Sequence, residues 1–302
     1  MLPVPRRPID LTPALTAALT AALALGVAAC VHAPAFIAPI DGAMPFPVDS
    51  SRQQTVADGV IHRVIYSSNG PWTINVLSAD LDRCTAAEAV ASANGALQRT
   101  RTTAMLDSLE RHEHVLGGVN ADFFDLKNGR PTNLLVIDGA MRTPPIAQPV
   151  LAFDSAGAPH IGFFTLESGR LRPFQPLQAV GGRPVLVRDS AIAGEVDTFG
   201  SASFRARNPR TAAGIARNGK QLILVAVDGR EYRNAGMTLR ELAELILALG
   251  ARDAINLDGG GSTTMIVAQP SASDSLRIVN HPSGKEGERA VGDALAIVHR
   301  CR

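Results

Sequence analysis

Between residues 221 and 265 the rhythm of apolar and polar positions changes three times. Residues 222–227 are an unbroken apolar run, LILVAV, of the kind that fills a buried strand. Thr238 and Glu241 then stand three apart ahead of Leu239, Leu242, Ala243, Ile246 and Leu249. That is a capping-box start followed by one apolar helical face, and Gly250 closes it. A short apolar run beginning at Ala254 completes a strand, helix, strand unit whose strands end at Asp228 and Asp258. A crossover that makes the two strands parallel puts both carboxylates on one sheet edge, where open α/β sheets bind ligands.

Elsewhere the pattern predicts mostly strands. Alternation over 60–66, the Asn69-Gly70 turn and the apolar positions from Trp72 to Leu77 read as a hairpin. Residues 85–96 admit two readings, a helix capped by Thr85 and Glu88 or a half-buried strand, and continuity with the hairpin favours the strand. A helix is predicted over 103–113, with Leu106 and Leu109 inward. Next, 115–119 reads as a buried strand delivering Asn120, Asp122 and Asp125. Short strands follow at 134–137, 151–153, 161–166, 185–187, 212–216 and 294–298, and 189–207 reads as a surface loop long enough to act as a flap.

The N-terminus has a different character. Arg6 and Arg7 precede an apolar run over 11–29 that ends Val27-Ala28-Ala29-Cys30, which is similar to a bacterial lipobox. Residues 1–30 are therefore expected to be a signal peptide of lipoprotein type with Cys30 lipidated; an ordinary secretory signal is the alternative. Proline-rich residues 31–58 read as an extended tether. Either signal exports the domain, to the periplasm or as an outer-envelope lipoprotein. In an oxidising compartment the remaining Cys84 and Cys301 form a disulfide or stay as two unpaired thiols.

Bulk composition excludes more than it assigns. With 29 Lys and Arg against 28 Asp and Glu there is no electrostatic case for nucleic acid or an anionic membrane surface, so the lipid anchor is the one membrane contact expected. One Trp and two Tyr do not make the stacking platforms of long-glycan binders, which leaves small or anionic substrates.

Candidate chemistry centres on AINLDGGGSTTM, residues 254–265. Glycines lacking Cβ let backbone N–H groups approach a ligand while Asp258 is held beside it; the bland alternative is a turn between two strands. Arg210, at a strand entrance, offers a planar fork for phosphate oxygens. Asp clusters also suit Ca²⁺ or Mg²⁺, but no cofactor is required, and a divalent cation is the lesser option. His112 and His114 point to different sides of a helix and read as solvated.

Taken together, NADFFD, NPRTAAGI, VDGR, GMTLRELAELILALGARDAINLDGGGSTTM and VNHPSGKEGERAVGDAL, in that order over roughly 72–298, resemble the phosphodiester glycosidase family. The resemblance implies an α+β fold, with mixed β-sheets flanked by helices, in a single catalytic domain spanning 59–302, and hydrolysis of a sugar 1-phosphodiester at the anomeric carbon, releasing free sugar and a phosphomonoester. It points to Asp258, Asp228 and Asp122 as nucleophile, general base or acid. Arg210, Arg289 and the amides of Gly259, Gly260 and Gly261 become a phosphate cradle, with Arg230 and Ser262 also at the substrate. Asn120, Asn256 and Asn280 bind sugar hydroxyls or orient carboxylates. Asp293 departs from the family pattern, standing where Asn is expected. The competing class is an exported, non-enzymatic module that binds phosphorylated glycan or takes part in envelope polysaccharide assembly. A nucleotide site is disfavoured because no Lys follows the glycines.

Overall fold

The computed structural model describes residues 43–82, 84–92, 96–269 and 275–301. The expected signal segment with Cys30 and residues 31–42 of the expected tether lie outside them. From Ser50 the tether reading is corrected: Ser50–Ala57 is the edge strand of a large sheet, paired with Val60–Ser67.

Eight strands form the large sheet. From that edge the order runs Ser50–Ala57, Val60–Ser67, Trp72–Asp80, Gln221–Val227, Arg210–Ala216, Ala251–Asn256, Val185–Arg188 and Ala191–Ile192. Alternation sorts its side chains cleanly. In Gln221–Val227 the residues Leu222, Leu224 and Ala226 face a central core, while Ile223, Val225 and Val227 face the helix Leu239–Ala248. That helix starts as the sequence predicts: Thr238 Oγ1 accepts from the Glu241 N–H at 3.1 Å, and Glu241 Oε2 accepts from the Thr238 N–H at 2.8 Å. It buries Leu239, Leu242, Ala243, Leu245 and Ile246 against the sheet. Truncating one of those leucines to Ala costs about 2–5 kcal/mol.

Two five-stranded sheets cover the other face. The second sheet runs Leu276–Ile278, Met265–Ala268, His114–Asn120, Ala294–His299, Thr85–Val90; the third runs Pro159–Phe163, Pro149–Phe153, Gln178–Gly181, Leu135–Ile137, Ala140–Thr143. Leu116, Val119, Leu295 and Ile297 of the second and Leu151, Phe153 and Val180 of the third meet the large sheet in one core. The helix Thr102–Glu110 closes the second sheet from outside through Met105 and Leu106.

Three expectations change. Every strand pair among the described residues is antiparallel, so the fold is a helix-covered β-sandwich and not a set of mixed sheets. Residues 161–166 divide between two strands, Pro159–Phe163 and Thr165–Glu167. The flap 189–207 holds a 3₁₀ turn at Gly194–Asp197 and a short helix at Ala202–Arg205. Cys84 and Cys301 are bonded across 217 residues, with Cα atoms 4.9 Å apart, which settles the sequence alternatives in favour of the disulfide.

Candidate functional site

The parallel crossover skips a strand, and that skip builds the site. Gln221–Val227 and Ala251–Asn256 both pair antiparallel with Arg210–Ala216, which lies between them. The flanking strands therefore run the same way, and their ends carry Asp228 and Asp258 to one edge with Arg210 between them. Asp258 then leads through the glycine loop into Met265–Ala268 of the second sheet. At that same end the strand His114–Asn120 delivers Asn120 and Asp122, and Asp293 precedes Ala294, which pairs with Asn120. The third sheet adds Gly181, Gly182 and Arg183.

Asp122, Asp258 and Asp293 form one electrostatic group. Asp293 is fully buried, and its Oδ1 accepts the Asp122 N–H at 2.8 Å. Its Oδ2 has no hydrogen-bond partner among the described residues. Burial, then the Asp122 and Asp258 charges, push the Asp293 carboxyl well above the carboxylate range. Asp122 is raised by burial to about 7 although the Asn133 N–H donates to its Oδ2 at 2.8 Å and Arg183 opposes the rise. Asp258 is raised by burial to about 6, with the Ser262 side chain and Arg289 pulling the other way. A Cβ on Gly181 would stand 2.7 Å from Asp122 Oδ2, so the glycine makes room for this carboxylate.

Asp258 opens into a cleft of about 450 Å³ also lined by Arg183, Arg210, Arg230, Asn256, Gly259 and Gly260. Phe123 and Phe204 give it apolar walls, and Arg183 lies over the Phe123 ring, 4.4 Å from its centre. Phe204 belongs to the predicted flap, which does face the cleft. A carboxylate and three guanidinium groups in a pocket of this size suit an anionic, oxygen-rich ligand.

Several expected contributions are taken up by the protein itself. Asn120 is fully buried; its Nδ2 donates to the Asp258 carbonyl at 2.6 Å and its Oδ1 accepts from Thr211 Oγ1 and the Thr264 N–H. It orients Asp258 and does not face a sugar. Asn280 likewise accepts the Met265 N–H and donates to Asp228 Oδ1 and the Thr263 carbonyl. Asn256 donates to the Arg183 carbonyl at 2.6 Å, but its Oδ1 has no partner among the described residues. Arg210 gives its Nε to the Met237 carbonyl and its Nη2 to those of Phe204 and Ala206, so only the Nη1 end remains for a ligand. Burial pulls that guanidinium down to about 10.

The glycine loop also differs from expectation. Gly260 donates its N–H to the Pro209 carbonyl at 2.8 Å, and the Gly259 N–H turns to Asp258, so two of the three amides are spent. The glycines serve close packing instead. A Cβ on Gly259 would meet the Pro209 carbonyl at 2.7 Å, one on Gly260 would meet Arg230 Nη2 at 2.9 Å, and one on Gly261 would meet Arg289 Nη2 at 2.6 Å. Gly260 also has φ +62°, and Arg289 donates to Ser262 Oγ at 3.4 Å. Two guanidinium groups thus lie over the loop, and the positive charge sits on side chains.

Asp228 stands apart. Burial raises it to about 6, and its Oδ1 accepts both Asn280 Nδ2 at 3.1 Å and the His281 N–H at 2.8 Å. It does not line the cleft that Asp258 opens into, and the charges that shift it are those of His281 and Glu231. No group of three or more His, Cys, Asp or Glu among the described residues is arranged to hold a metal ion. The sequence assigns no role to Phe123, Asn133 or the Gly181-Gly182-Arg183 turn; the double glycine shortly ahead of Pro184 was the available signal.

Residues 113–298 match the phosphodiester glycosidase family. N-acetylglucosamine-1-phosphodiester α-N-acetylglucosaminidase of Bos taurus is 47% identical over 64 residues, 21% of this chain and 12% of that protein. A prophage-derived uncharacterised protein of Bacillus subtilis is 36% identical over 96 residues, 32% of this chain. The matches thus span only 14% and 12% of these two relatives' lengths. The auto-inhibited catalytic domain of the zebrafish N-acetylglucosamine-1-phosphodiester α-N-acetylglucosaminidase superimposes with TM-score 0.58 at 22% identity over 86% of both chains, a likeness of fold.

Proposed function

Since the chain belongs to the phosphodiester glycosidase family, we propose that it hydrolyses a sugar-1-phosphodiester at the glycosidic bond. The observation that carries this reading is the Asp258 carboxylate opening into a cleft with Arg183, Arg210 and Arg230 while Asp122 and Asp293 crowd it from the protein side. The anomeric C–O bond breaks, its electron pair leaves with the phosphate oxygen, and a water oxygen replaces it at the sugar carbon. The products are free sugar and a phosphomonoester.

Departure of an already anionic group demands charge stabilisation more than protonation, and the guanidinium groups supply it. Oxocarbenium-like charge on the sugar calls for a carboxylate opposite. Asp258 meets that requirement, either bonding the anomeric carbon or taking a proton from the attacking water. Like charges this close cannot all ionise, so the Asp122 and Asp293 pair retains a proton beside it. Asn120 and Ser262 hold Asp258 in place, and Asn280 and Asp228 brace the far side of the glycine loop.

The reading includes export and anchoring through Cys30, supported by Arg6, Arg7 and the VAAC sequence, and by a disulfide of the kind that persists in oxidising compartments. The direct test is release of reducing sugar and phosphomonoester from a panel of sugar-1-phosphodiesters by the purified exported chain. Tight binding without sugar release would transfer the assignment to the non-enzymatic glycan-binding class.

A further inference from the structure

The flap and the Asp258 cleft meet at one side chain, Asn208, which also lines that cleft. Its backbone is a fixed post. Asn208 and Met237 exchange both backbone hydrogen bonds, at 3.1 and 3.0 Å, and Pro209 follows. Gly236, with φ +77°, lets the neighbouring loop lie against it, since a Cβ there would stand 2.4 Å from the Asn208 carbonyl carbon. The side-chain amide then works in two directions. Nδ2 donates to the flap carbonyls of Ser203, at 3.1 Å, and Ala206, at 3.0 Å, while Oδ1 accepts Arg230 Nη2 at 3.1 Å. Only this orientation of the amide serves both sides, because a guanidinium has nothing to accept with and a carbonyl nothing to donate.

Both things it holds belong to the cleft. The flap contributes Ser201, Ser203 and Phe204 to the lining, and the Phe204 ring packs against Phe123 at 5.9 Å and Phe199 at 5.7 Å between centres. Arg230 is exposed and has φ +64°, a left-handed conformation that a residue with a Cβ keeps only when its surroundings hold it. Its charge also presses on a neighbour: after burial, Arg230 is the second cause that pulls Arg210 down. A guanidinium repelled by another and open to water swings outward unless an acceptor retains it, and Asn208 Oδ1 is that acceptor. We propose that Asn208 is a positioning residue that joins the flap and Arg230 into one unit, so that the Phe204 wall and the phosphate-facing guanidinium take their places together. The tie itself does not depend on the hydrolase reading; its effect on turnover rests on that reading.

Trypsin acting on the Arg205–Ala206 bond of the full chain reports release of the flap. Asn208→Ala is expected to speed that cut about tenfold with Tm unchanged, the consequence of two lost hydrogen bonds. Asn208→Asp keeps an acceptor for Arg230 but has no N–H for the flap carbonyls, so it is cut as fast as Asn208→Ala. Arg230→Ala frees the amide to turn and speeds the cut about threefold, yet adds nothing in the Asn208→Ala background. Unchanged cutting in Asn208→Ala, resistance retained in Asn208→Asp, or an Arg230→Ala effect that persists without Asn208 would overturn the tie. Turnover gives a second readout, with the methyl diester of N-acetylglucosamine 1-phosphate as probe. Asn208→Ala and Arg230→Ala each raise KM about tenfold with a smaller fall in kcat, and together they cost less than the product of the two. A full product contradicts the proposal, because Asn208 then acts independently of Arg230. A chain that cleaves no diester sinks the hydrolase reading, and the trypsin comparison still decides for or against the tie.

Discussion

Two buried acidic stations flank the glycine loop, and they differ in what faces the carboxylate. At one, Asp228 meets donors, Asn280 Nδ2 and the His281 N–H on the same oxygen. At the other, Asp258 and Asp122 meet each other and Asp293, with one buried oxygen of Asp293 left without a partner among the described residues. Burial raises the pKa at both, to about 6 for Asp228 and about 6 and 7 for Asp258 and Asp122. A raised pKa therefore does not separate chemistry from architecture here. Like charges crowded beside an open cleft do, because only there must a proton be shared.

The sharpest way to break this contrast is a matched pair of substitutions. Asp258→Asn is expected to lower sugar release by about a thousandfold or more with the fold retained, read by product assay and circular dichroism. Asp228→Asn keeps an oxygen that can accept from Asn280 and His281, and is expected to cost about tenfold or less. Equal losses would erase the distinction. The pH profile comes next in size. Asp258 must be ionised and the Asp122 pair must keep its proton, so kcat/KM rises through about pH 6 and falls above about pH 7, the limbs belonging to the coupled group. A rate flat from pH 5 to 8 would contradict the shared proton.

The smallest effect sharpens the role of Asp293. A carboxyl whose folded pKa lies above its unfolded value stabilises the fold below the unfolded pKa and loses that contribution as pH climbs through the folded one. Asp122, Asp258 and Asp293 are all raised from 3.8, so they hold the fold back at pH 8 and not at pH 4. Asp293→Asn still accepts the Asp122 N–H and removes one charge. Its Tm is expected to exceed that of the unaltered chain by a widening margin between pH 5 and 8, about 2–4 °C for each kcal/mol gained.

Much of this architecture is legible along the chain, and the misses share one cause. The Leu239–Ala248 helix is announced by Thr238 and Glu241, and the runs ending at Asp228, Asp258 and Asn120 do form buried strands, because period and capping are local properties. Which strand lies beside which is not local. The insertion of Arg210–Ala216 between two strands that follow it in the chain cannot be read from apolar runs that look alike. The same limit governs the side chains. Asn120 and Arg210 carry the donors that a ligand needs, but only the folded chain reveals that Asp258, Met237, Phe204 and Ala206 have already claimed them.

Finally, the bridge between Cys84 and Cys301 clasps the end of the Ala294–His299 strand remote from Asp293, six residues and about 20 Å away. The covalent clasp and the proposed chemistry are thereby lodged at opposite ends of one strand. A reductant is expected to loosen the end remote from Asp293, lowering resistance to heat and protease while sparing the proposed hydrolysis.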